Sequence, residues 1–197
     1  MAQARKDELR RALIDRAEAV IAAQGLGALR ARDLAEAAGC AVGAIYTAFP
    51  DLDALVLEVN RRTLVLFEAA VAAEEGDPAA ALVRLGLAYL GFARAHLQRW
   101  RALFQHRLAA DRTVPDWYVA EQGRLFHHIE RPLRALRPDL SGEARELLAR
   151  SLFSATHGLV SLGLDEKLMA LPDGVLEDQV RLVVGALARG LGGAGAG

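Results

Sequence analysis

The 197-residue chain predicts an all-α protein: a three-helix helix-turn-helix head followed by an antiparallel helical domain, about nine helices in all. Three observations predict it. Apolar residues recur at three- and four-residue steps, beginning with Leu9, Leu13, Ala17, Val20 and Ile21. No strand-like alternation extends beyond a few residues. Residues 30–50, RARDLAEAAGCAVGAIYTAFP, set two short helical patterns on either side of a glycine.

In chain order, the first amphipathic helix closes at Gly25. A short helix over Arg32–Ala38 turns Leu34 and Ala35 inward, Gly39-Cys40-Ala41 make the turn, and a second short helix over Val42–Phe49 turns Ile45 and Phe49 inward. Helices this short are marginal alone in water, so neighbours must brace them. Gly39 supplies the positive φ that the corner needs. The motif thus spans about 32–51 within a head over 1–50, and its second helix is expected to stand outward with Phe49 as a core residue. A connecting helix over 51–74 starts at Pro50-Asp51 and carries Leu52, Leu55, Val56, Val59, Leu66 and Phe67 on one stripe. Asp77-Pro78 is an N-cap followed by a first-turn proline and opens a helix reaching about His96. A segment with Trp100, Leu103, Phe104 and Leu108 follows, then a helix from Asp116, interrupted or kinked at Pro132. Ser141 caps a helix to about Leu164, and a last one runs from Val175 to Leu191. The helical domain therefore covers 75–191, and the glycine-rich 192–197 is expected to be a flexible tail.

Composition excludes several classes. With 53% hydrophobic and 25% charged residues the chain is a folded globular protein rather than a disordered tail. Cys40 is the only cysteine, so neither an internal disulfide nor a thiolate zinc site is expected, which suits a reducing compartment. No apolar run is long enough to span a bilayer, and Arg5, Lys6, Asp7 and Glu8 stand where a signal peptide would be apolar. A cytoplasmic protein with no membrane partner is the expectation. His127 and His128 are adjacent and point to different sides of a helix, so they cannot form the i, i+4 pair of a metal site. No metal or cofactor is expected. Ser151, Ser154, His157 and Asp165 offer catalytic ingredients, yet their helical spacing builds no nucleophile elbow or oxyanion hole, and no enzyme is expected.

The charge pattern bears on a nucleic-acid partner through placement, not amount. The formal net charge is −1, and residues 1–50 hold seven basic against six acidic side chains. Arg5, Lys6, Arg10 and Arg11 gather at the start of the first helix, and Arg30 and Arg32 bracket the start of the second, where a helix-turn-helix crosses the phosphate backbone. These are the candidate phosphate contacts. On the recognition helix Thr47 can donate or accept a hydrogen bond and Tyr46 can reach a phosphate. Val42, Gly43, Ala44 and Ala48 complete the candidate face and offer apolar contact alone, for instance to thymine methyls. A surface so poor in hydrogen-bonding groups implies modest affinity, or a site read through DNA shape and deformability.

The run Ala35-Glu36-Ala37-Ala38-Gly39, then Gly43-Ala44-Ile45-Tyr46, then Phe49 and Leu55, resembles the amino-terminal domain of TetR-type (tetracycline-repressor-like) transcriptional regulators. In that family the Gly, Tyr and Phe recur at this spacing in chains of similar length. The stretch SLFSATHGLVSL, with Phe153, His157 and Gly158, is similar to the tryptophan-histidine-glycine (WHG) signature of one group of TetR-type carboxy-terminal domains, with Phe in place of Trp. The chain departs from the family where Ala41 and Val42 replace a Ser and a basic residue, Thr47 and Ala48 replace a basic or aromatic pair, Leu52 replaces a Lys, and Arg30 replaces a capping Ser or Thr. The resemblance implies a ligand-responsive DNA-binding regulator, a repressor released from its operator by a small effector.

The second region supports that expectation. Trp100, Phe104, Trp117, Tyr118, Phe126, Phe153 and His157 are the candidate ligand-binding residues, consistent with an apolar cavity for a small apolar effector. His157 has two readings, an effector contact or a ring that fixes its neighbours by a hydrogen bond. Leu147, Leu148, Leu152, Ala155, Leu159 and Leu162, with Val180, Val183, Val184, Leu187 and Leu191, give the last two helices more apolar stripe than one small domain buries. A homodimer through those two helices follows, with two heads meeting half-sites of a palindromic double-stranded DNA operator about 34 Å apart or a multiple of it. The alternative reading is a helical ligand-binding or scaffold protein with a weak or vestigial DNA-binding head.

Overall fold

A computed structural model of the chain describes residues 2–71, 76–109, 112–165 and 171–193. Among these residues the protein is all α, with no strand. The helices are α1 (Ala2–Gln24), α2 (Ala31–Ala37), α3 (Val42–Ala48), α4 (Leu52–Ala70), α5 (Pro78–Ala95), α6 (Leu97–Gln105), α7 (Asp116–Leu136), α8 (Gly142–Gly163) and α9 (Asp173–Gly193), with one 3-10 turn at Leu26–Ala28. Gly192 and Gly193 are still helical, whereas 194–197, the rest of the expected tail, lie outside the described residues.

Two compact units form: residues 1–66 with 96–121, and residues 67–95 with 122–197. The unit containing the head therefore includes α6 and the first turn of α7, which the sequence reading grouped with the ligand domain.

In the first unit, Leu13, Ile14, Ala17 and Ile21 of α1 meet Leu34 and Ala35 of α2, Ile45 and Phe49 around α3, and Leu55, Val56 and Val59 of α4 in one core. Ala102 of α6 belongs to the same core. Sequence periodicity predicts the α1 and α4 contributions because both helices repeat apolar residues along one stripe. Asp51 caps α4 by accepting the Ala54 N–H at 2.7 Å. Ion pairs reinforce the assembly: Arg99 of α6 and Arg62 of α4 both bind Glu18 of α1, at 2.6 and 2.7 Å, and Arg99 also donates to Thr63 at 3.4 Å.

In the second unit α5 packs against both α8 and α9. The predicted caps hold: Asp77 accepts the Ala80 N–H at 2.7 Å and Ser141 accepts the Ala144 N–H at 3.2 Å. Gly86 sets the approach of α5, because a β-carbon there would stand 3.2 Å from Val180 and 3.3 Å from Val184. Those two valines, expected on the partner-facing stripe, are instead internal, at 0% and 5% exposure. The large apolar side chains left exposed on these helices are Leu147 and Leu162 of α8 and Val175, Leu182 and Leu187 of α9. α7 is not interrupted at Pro132 but continues through it; Pro132 and Leu133 are both buried, so packing holds the helix across its missing donor.

Candidate nucleic-acid interface

The corner of the helix-turn-helix is a Schellman motif. The Gly39 N–H donates to the Glu36 carbonyl at 3.0 Å and the Cys40 N–H to the Ala35 carbonyl at 2.9 Å, which satisfies the last carbonyls of α2. Gly39 has φ +64°. A β-carbon at Gly39 would touch nothing within 4 Å, so the backbone conformation, not space, calls for glycine there.

The short α3 is held from within and open on its far side. Ile45 (0% exposed) and Phe49 (1%) anchor it in the core, while Tyr46 is 50% and Val42 37% exposed. Gly43 and Thr47 are exposed and Ala44 half-buried. The Thr47 hydroxyl donates back to the Gly43 carbonyl at 3.2 Å, leaving its lone pairs to accept. Ala48, expected to face DNA, is 7% exposed and part of the head core; it follows Ile45 by three residues and so shares the inner face of the helix. The outer face therefore narrows to Val42, Gly43, Ala44, Tyr46 and Thr47.

The cations separate into two sets. Arg5, Lys6, Arg11 and Arg32 are exposed. Arg10 is committed elsewhere: its guanidinium donates to the Ala48 carbonyl at 3.0 Å, pairs with Glu58 of α4, and lies 4.2 Å above the Phe49 ring. That side chain caps the carboxyl end of α3 and ties it to α1 and α4, a positioning role that sequence reasoning missed because its partners lie 38 and 48 residues away. Arg30 is exposed as well, its guanidinium donating locally to the Gly27 carbonyl at 2.6 Å and the Leu29 carbonyl at 3.1 Å.

The candidate ligand residues fall into two groups. In the first unit Trp100 (3% exposed) and Phe104 (41%) meet edge to face at 5.6 Å, as do Trp117 (40%) and Tyr118 (5%). Burial pushes the Tyr118 phenol up to about 12. In the second unit Phe126 meets Phe153 at 5.4 Å, and Phe153 stacks on His157 at 5.7 Å. Tyr89 and His157 Nδ1 share a hydrogen bond of 2.6 Å, which agrees with the second of the two readings of this histidine, and Phe67 packs on Tyr89 at 5.5 Å. Burial lowers the His157 pKa below its ordinary value. The unfolded chain thus takes up the proton first as the pH falls, so this site's stabilisation is whole above about 6.5 and lost below it. The melting temperature of His157→Gln is expected to fall less between pH 7 and pH 5 than that of the wild type; equal slopes in a pH series of thermal melts would contradict it.

With this geometry in place, comparison with known proteins identifies the family. A profile described as "Bacterial regulatory proteins, tetR family" matches residues 13–59, and one described as "Tetracyclin repressor-like, C-terminal domain" matches residues 82–187. The chain belongs to the tetracycline-repressor-like family of transcriptional regulators, which are not enzymes. Similar solved structures agree on the fold. A protein of unknown function from Rhodococcus sp. RHA1 is 24% identical, with a TM-score of 0.73 over 93% of this chain and 95% of that one. A transcriptional regulator from the same organism is 24% identical, with a TM-score of 0.64 over 94% and 96%. A tetR-family transcriptional regulator from Streptomyces coelicolor is 21% identical, with a TM-score of 0.63 over 94% and 88%. No curated protein matches the chain. Among the described residues no helix is long and apolar enough to cross a membrane.

Proposed function

We propose that the protein is a homodimeric repressor that leaves a palindromic operator when a small apolar effector binds. The observation that carries the DNA reading is α3, which is anchored by Ile45 and Phe49 and presents Tyr46 half-exposed on its opposite side. Entering a major groove, that side offers Tyr46 to a phosphate, Thr47 as an acceptor and Val42 to base-edge methyls, while Arg5, Lys6, Arg11 and Arg32 neutralise flanking phosphates. Specificity then rests in good part on DNA shape.

The exposed apolar side chains of α8 and α9, Leu147 and Leu182 foremost, support self-association, which would cover them. Release by ligand is supported by the bonding of α6. Its Ala102 sits in the head core and its Arg99 holds both Glu18 and Thr63, so a ligand that displaces the Trp100–Phe104 segment strains α1 and α4 together. An effector need only favour the displaced state to shift the population off DNA.

Tyr46→Ala is expected to weaken operator binding about tenfold, equivalent to roughly 1.4 kcal/mol, with dimerisation unchanged. A gel-shift titration on the DNA flanking the coding sequence, beside a sedimentation measurement, checks both. Loss of the dimer would make Tyr46 a structural residue. Absence of any shift at low salt with wild-type protein would favour the scaffold reading.

A further inference from the structure

Two polar side chains, Asn60 and Thr63 of α4, stand among the buried residues described. Thr63 is satisfied, its hydroxyl donating to the Val59 carbonyl at 3.2 Å. Asn60 is not. It is 1% exposed, and among the described residues neither its Oδ1 nor its Nδ2 has a hydrogen-bond partner. Leucine would fill a similar volume without burying two polar atoms, so this amide stands against the stability of the fold. Buried polar groups that oppose stability mark sites shaped by something other than stability.

The surroundings specify a ligand. Leu57 and Leu64, one turn to either side of Asn60 on α4, are buried and apolar. The Tyr118 hydroxyl lies beside the amide without being aligned as a hydrogen bond. Tyr118 contacts the Trp117 ring edge to face at 5.6 Å, and Trp117 is 40% exposed. Arg99, which donates to Thr63 one turn further along α4, is already neutralised by Glu18 at 2.6 Å.

We infer that Asn60 is the polar anchor of a small-molecule site formed by α4 and the start of α7, one that takes a neutral, largely apolar molecule bearing a hydrogen-bond donor and acceptor side by side, as in a primary amide or lactam. The inference rests on the effector-controlled reading above and adds the chemistry of the effector's polar group. Asn60 accepts through Oδ1 and donates through Nδ2, so an amide edge satisfies both atoms. An ester offers an acceptor alone and leaves Oδ1 unpaired; a carboxylate does the same and also buries a charge without a counter-ion.

Calorimetric titration and thermal melts of the full chain with octanamide, methyl octanoate and octanoate test this. Octanamide is expected to bind and raise the melting temperature, methyl octanoate to bind about tenfold more weakly, and octanoate not to bind measurably. Asn60→Leu is expected to melt at the wild-type temperature or above it when unliganded and to bind octanamide at least about tenfold more weakly. Four results would each overturn the inference: no octanamide binding to wild type, no preference among the three probes, undiminished octanamide binding by Asn60→Leu, or a lower melting temperature of that variant without ligand. The probe series needs no mutant, so it decides even where a substitution disturbs folding. Operator binding by unliganded wild type is measured alongside; its absence would remove the regulator reading and leave the Asn60 site to be judged on the titrations.

Discussion

Replacing Phe49 by alanine is expected to cost about 3–5 kcal/mol and to abolish operator binding. Phe49 is among the largest fully buried side chains of the described residues and follows the last turn of α3, where its ring meets the core that α1, α2 and α4 share. It also carries the Arg10 guanidinium 4.2 Å above its face, and that guanidinium caps α3 through the Ala48 carbonyl. Removing the ring therefore opens a cavity and frees the side chain that fixes the carboxyl end of the recognition helix. Against a total stability of about 5–15 kcal/mol, a loss of that size is visible in a thermal melt followed by circular dichroism. A change below about 1 kcal/mol would mean that α3 is braced by something other than this core.

Leu182→Glu is expected to have a comparable effect on function by another route. Leu182 is 59% exposed on α9, among the outward side chains that include Leu147 at 66% on α8. In a two-fold interface built on those helices, a glutamate at this position is buried against an apolar surface without a counter-ion, so its desolvation is uncompensated in both copies. The dimer is expected to become a monomer in sedimentation equilibrium, and operator affinity to fall about 10²–10⁴-fold as the second head loses its effective concentration. A variant that remains dimeric would move the interface off this face.

How much of this is legible in the sequence depends on how local each cause is. The helix starts at Asp77-Pro78 and Ser141, and the corner at Gly39, are read correctly because caps and left-handed turns are decided within a few residues. The inward positions Leu34, Ile45 and Phe49 follow from period alone. Long-range choices are not readable in this way. α9 is apolar around much of its circumference, and Val180 and Val184 become its inner stripe because Gly86, nearly a hundred residues earlier, admits them. Ala48 lies at the edge of the inner stripe of a seven-residue helix, too short for its pattern to separate the two faces. Arg10 looks like a phosphate ligand by position and is drawn away by a carbonyl and a carboxylate that only folding brings near. Ala102 reaches the head core from a nine-residue helix that the sequence reading left with the ligand domain. Asn60, a polar residue inside an otherwise regular apolar stripe, gave no motif to find.

In the proposed function α3 acts as an outward probe carried twice by a symmetric pair. Hydroxyl-radical footprinting of the purified protein on DNA flanking its own coding sequence tests this most directly. Two protected patches related by a two-fold axis, with centres about 34 Å apart or at a multiple of it and weakened by Tyr46→Ala, are the predicted result. A single asymmetric patch, or uniform cleavage at low salt, would contradict it.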